Sequence, residues 1–174
     1  MARPARGTPD WTLRLALLLT ALARTAVAGG LNAPHVDRQL GPFVHAQVLR
    51  AAERLALEPC AMVLKEFVDQ ETGQPLAAKF HASLEGVSEY VSTLTFRPGP
   101  EDGPCRTSSV AAYTSPGSAV VYVCKGRFLR WQASKERNLP ATILIHEALH
   151  TLGLGENPPT TEEITARVEA RCGR

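Results

Sequence analysis

"ATILIHEALHTLGLGENPPT", residues 141 to 160, opens as an apolar helix and closes at two prolines. Leu144, Ile145, Ala148, Leu149 and Leu152 recur at helical spacing, so one face of this stretch is made for burial. His146 and His150 stand four residues apart and therefore share a face, where both imidazoles can reach one ion about 2 Å from each nitrogen. The helix is expected to run to about Leu152 and to stop at Gly153, which can take positive φ and turn the chain sharply. At its start, Asn138 is placed to cap it and Pro140 to occupy the first turn.

The flanking sequence predicts what this helix packs against. "FVHAQVLRAAERLAL", residues 43 to 57, is apolar at helical spacing with Arg50, Glu53 and Arg54 on the polar side, and reads as a helix. "CAMVLKEFVD", residues 60 to 69, reads as a strand followed by the turn "QETGQ". "SEYVSTLTF", residues 88 to 96, suggests a short helix capped at Ser88 and running into a strand, and "RPGPEDGPC", 97 to 105, a loop. "SSVAAYTS" and "SAVVYVC", separated by "PG", give the clearest hairpin. "GRFLRWQASKER" is helix-like, and Thr160 with Glu163 has the T-x-x-E spacing of a capping box that opens a last helix. The expected fold class is α+β: one small domain, with a mixed sheet that contains the hairpin and a site helix beside it.

Residues 1 to 28 are expected to be a secretory signal peptide, leaving 29 to 174 as the domain. Arg3 and Arg6 precede an apolar run from Leu13 to Ala23, and Ala26 and Ala28 fit the small-residue cleavage pattern. That run is about half of what a membrane span needs, so no span is expected after cleavage. The chain holds 19 Lys+Arg and 17 Asp+Glu; the leader takes four arginines and one aspartate, which leaves 15 against 16, a net of −1. With no basic stripe remaining, nucleic acid is not expected as a partner, and a monomer is expected. Cys60, Cys105, Cys124 and Cys172 form an even set outside the leader and suggest two disulfides in an exported protein. Of the three connectivities, Cys60 with Cys105 and Cys124 with Cys172 is preferred, because the second pair would tie the tail to the segment before the site helix. No two cysteines have C-x-x-C spacing, so a zinc-thiolate cluster is disfavoured.

A catalytic zinc usually takes three protein ligands and leaves a position for water. Glu156, six residues after His150 and just past the expected turn, is the preferred third ligand; Glu162, Glu163 and Glu169 on the following helix are alternatives. Glu147 lies beside the ion rather than on it, where a carboxylate can accept a proton from water. His35, His45 and His81 each stand alone and are expected to be surface or structural.

The string His146-Glu147-x-x-His150-x-x-Gly153-x-x-Glu156 resembles the zincin metallopeptidases, whose metzincin group has H-E-x-x-H-x-x-G-x-x-H and, in some secreted bacterial relatives, aspartate in the last place. The resemblance covers about a dozen residues. Metzincins also place a methionine turn after the third ligand, whereas the methionines here are Met1 and Met62, both upstream. A gluzincin-like site, with its glutamate on the next helix, is the rival pattern.

What the resemblance implies is a secreted or periplasmic zinc metallopeptidase acting on a peptide or protein, with His146, His150 and Glu156 on Zn2+ and Glu147 as general base. Peptide would add to the strand "SAVVYVC" by main-chain hydrogen bonds. Tyr113 and Tyr122 flank the hairpin turn and could reach a developing oxyanion, although packing is the commoner role for a strand tyrosine. A disulfide-stapled binding module with a structural zinc, or without activity, is the alternative.

Overall fold

The computed structural model describes residues 34–80, 86–134 and 138–173. The expected leader and His81 lie outside these residues. The fold is α+β, as the sequence predicts.

The first long helix, α1 (Gly41–Leu55), buries Val44, Val48, Ala51, Ala52 and Leu55 along one stripe. It is followed by α2 (Glu58–Ala61), which continues as a 3-10 turn over Met62–Lys65. The strand expected over 60 to 69 is therefore not formed. Cys60, Val63, Leu64 and Phe67 fall at i, i+3, i+4 and i+7, all are buried, and Pro59 suits a first helical turn. That helical period overrides the short alternation at 64 to 69. The turn after it is formed as expected, closing with a bridge between Val68 and Pro75.

Helix α3 (Gly86–Thr93) leads into strand β2 (Thr95–Pro98), with Ser88 buried within the helix rather than at its cap. β1 (His35–Val36) and β4 (Val120–Val123) flank β2 in parallel, and β3 (Ala112–Tyr113) closes the sheet antiparallel to β4. The sheet order is β1-β2-β4-β3. The hairpin turn places Pro116 and Gly117 centrally, with Gly117 at φ 76° and the Ser118 amide donating to the Ser115 carbonyl at 3.0 Å, a type II turn. β4 is thus an inner strand, paired on both sides, and the free edge near the site belongs to β3. The expectation that peptide adds to "SAVVYVC" is corrected accordingly: in this topology the available main-chain groups are those of Ala112 and Tyr113.

After α4 (Lys125–Ala133) comes the site helix α5 (Leu139–Thr151), which is buried on nearly every side among α1, α6 (Thr161–Cys172), β3 and β4. Asn138 does not cap α5 with its side chain. Its Oδ1 instead accepts from Arg54 Nη2 at 2.9 Å, and Arg54 Nη1 donates to the Asn138 carbonyl at 3.2 Å. Arg54, expected on a solvated face, is 7 % exposed and serves as the tie between α1 and the start of α5.

Both disulfides form, but in a pairing different from the preferred one. Cys60 joins Cys172 and Cys105 joins Cys124, with Cα–Cα distances of 4.6 and 5.2 Å. Because residues 58–61 are helical, Cys60 faces the end of α6, and the tail is tied to α2 rather than to β4. Among the described residues, no helix is long and apolar enough to cross a membrane.

Candidate metal centre

His146 and His150 project from the same side of α5, and their Nε2 atoms stand 3.0 Å apart. Gly153, at φ 99°, ends the helix, and a Cβ there would meet Asp69 Oδ2 at 2.5 Å, so the turn tolerates no side chain. The chain then doubles back and sets Glu156 Oε1 3.8 Å from His146 Nε2 and 3.2 Å from His150 Nε2. These three residues form a group that could hold a metal ion, its ligand atoms all within 4.8 Å of one another.

The glutamates of the following helix do not join it. Glu163 is engaged in the capping box with Thr160, as expected, while Glu162 lines the nearby cavity and Glu169 lies farther along α6. His35 and His45 also stand outside the group.

Hydrogen bonding around the histidines tests the fit to a cation. His150 Nδ1 lies 2.8 Å from the Leu154 carbonyl, which can only accept, so Nδ1 carries the hydrogen and Nε2 offers a lone pair. His146 Nδ1 lies 3.0 Å from Thr165 Oγ1, an oxygen able to accept in the same way. Two imidazole lone pairs and a carboxylate oxygen then face one another, an arrangement that a cation relieves. Thr161 Oγ1 donates to Glu156 Oε1 at 2.8 Å. Thr161 and Thr165, one helical turn apart on α6, therefore steady one ligand each, a role the sequence reading missed. Its one trace in the sequence is the i, i+4 threonine pair just after the ligands. Thr165→Val is expected to weaken metal binding about tenfold, as loss of an outer-shell partner typically does, and competition with a chromogenic chelator measures it.

Glu147 is 6 % exposed and lines the same cavity of about 630 Å³ as the three ligands, together with Tyr113, Trp131 and Ile143. Burial, then the Glu156 carboxylate, pushes the Glu147 carboxyl up to about 8. Burial, then His150, holds His146 down to about 4. Tyr113 stacks on Tyr122 with ring centroids 5.1 Å apart, which is the packing role. Comparison with protein-family models, curated proteins and solved structures returns no match. The chemistry of the site therefore rests on its own geometry.

The two shifted groups act oppositely on the metal-free chain. For Glu147, whose folded value lies above the ordinary 4.5, stability present at low pH is lost as pH rises towards 8. For His146, whose folded value lies below the ordinary 6.5, stability present at high pH is lost as pH falls towards 4. Urea midpoints in chelator should peak between pH 4.5 and 6.5, and Glu147→Gln should remove the alkaline decline.

Proposed function

We propose that this chain is an exported zinc metallopeptidase of zincin type. The observation that carries the reading is the convergence of His146 Nε2, His150 Nε2 and Glu156 Oε1 on one spot in the wall of a cavity that Glu147 also lines. His146, His150 and Glu156 would hold the zinc, whose imidazole and carboxylate donor set suits it. Zinc, when bound, supplies a Lewis acid that polarises a carbonyl and makes water nucleophilic near neutral pH.

The protein's own part is proton handling and positioning. The Glu147 carboxylate takes the proton of the attacking water and returns it to the leaving amine. For that it must be ionised, and a divalent cation opposes the burial and the Glu156 charge that otherwise keep it protonated. β3, the outer strand of the sheet at Ala112 and Tyr113, borders the cavity and would offer main-chain groups to an extended peptide. The two disulfides suit an oxidising compartment.

A structural zinc would want four protein ligands, and the group found among the described residues has three, which favours the enzyme over the binding module. The test is zinc content of wild type and Glu156→Ala beside turnover of a broad peptide library. One zinc per chain with cleavage in wild type, and both lost in the variant, is the expected result. Tight zinc in both without cleavage would sink the enzyme reading.

A further inference from the structure

We propose that a second cavity, bordered by Arg106, Lys125, Arg127 and Arg130, is a carboxylate-binding subsite that selects acidic peptides for the metal cleft. The peptide part of this inference rests on the function proposed above.

The cavity, about 710 Å³, lies between the 98–108 segment and the start of α4, and its only acidic lining residue is Glu101. Three cations elsewhere are matched: Lys79 pairs with Asp69, and Arg167 and Arg171 pair with Glu66. Among the described residues none of the four cations here has a carboxylate within ion-pair distance. Arg127 lies over the Trp131 ring at 5.7 Å, and among the described residues its buried Nε has no hydrogen-bond partner. A buried guanidinium nitrogen without an acceptor carries a desolvation cost that an incoming oxyanion offsets, and guanidinium groups match carboxylates in shape. The Cys105–Cys124 bridge borders the cavity and ties together the backbone beside Arg106 and Lys125.

Position connects this cavity to the cleft. Val110 lines both, and the titratable residues lining the metal cleft are Tyr113, His146, Glu147, His150, Glu156 and Glu162, with no lysine or arginine among them. A peptide laid along the edge of β3 that continues past Ala112 meets Val110, then Ser108, Thr107 and Arg106. One end of such a peptide sits at the metal ligands while its continuation enters the basic cavity.

Binding is read on the full, disulfide-intact chain carrying Glu147→Gln, so that nothing is cleaved. Three labelled peptides of equal length are compared: one with a glutamate and an amidated end, its glutamine counterpart, and that counterpart with a free C-terminal carboxylate. Protection against thermal unfolding by glutarate is measured in parallel. The glutamate peptide is expected to bind about tenfold tighter than the glutamine peptide, with the advantage lost in Arg127→Gln and in Arg130→Gln. An advantage confined to the free-carboxylate peptide would support the subsite and assign it to the chain terminus. Equal binding of all three, or an advantage that survives both arginine substitutions, would overturn the proposal. If no peptide binds, glutarate protection that vanishes in Arg127→Gln supports the carboxylate site and refutes the peptidase reading alone, whereas absence of protection overturns the site.

Discussion

Glu147→Gln is expected to cut peptide cleavage by about a thousandfold while the chain still takes up one zinc, because the substitution removes a proton acceptor and leaves His146, His150 and Glu156 in place. The amide is close in size to the carboxyl it replaces, so the packing of a residue only 6 % exposed is kept. Metal content and turnover, measured on the same preparation, separate the two roles. If cleavage persists in the zinc-loaded variant, Glu147 is not the base. The substitution should also stabilise the metal-free chain above neutral pH, where the wild-type carboxyl, held up to about 8, must ionise on unfolding. A binding module would show this second effect without the first.

Replacing both Cys60 and Cys172 with serine is expected to cost about 4 kcal/mol of stability, since the bridge closes a separation of 112 residues in the unfolded chain. Cys105 and Cys124 are 19 apart, and the same replacement there should cost about 3 kcal/mol. Urea unfolding at fixed pH gives both values. The first loss should reach the metal as well. α6 carries Thr161 and Thr165, the hydroxyls that hold Glu156 and His146, and its last residue is Cys172. With its bridge to α2 cut, the helix is still anchored by its capping box, by the pairs of Arg167 and Arg171 with Glu66, and by Ile164 and Val168 in the core. Zinc affinity should fall along with stability; unchanged affinity would show that the remaining contacts of α6 suffice to position the threonines.

The candidate site was legible because its parts are local. His146, Glu147, His150, Gly153 and Glu156 fall within eleven residues, and helical spacing plus one glycine turn suffices to bring them together. The hairpin and the last helix carried their own signals in Pro116-Gly117 and in Thr160 with Glu163. Long-range pairings were not legible. The spacing of four cysteines does not choose among three pairings, and the preference for tying the tail to the segment before the site helix fails because Cys172, at the end of α6, meets Cys60 on α2. Arg54 looked like a solvated arginine because its partners, Asn138 and Thr142, lie 84 and 88 residues away. The basic cavity was invisible for the same reason, since Arg106 and Arg130 lie on separate segments and line one cavity only in the folded chain.

The amide of Gly117, at the tip of the hairpin, donates to the carbonyl of His150 at 3.0 Å. An exposed β-turn is ordinarily where a protein accepts inserted sequence or a fused tag most readily. Here lengthening the turn would withdraw that donor from the His150 carbonyl and shift the backbone of a candidate metal ligand, so anyone grafting onto this scaffold should leave residues 115 to 118 intact.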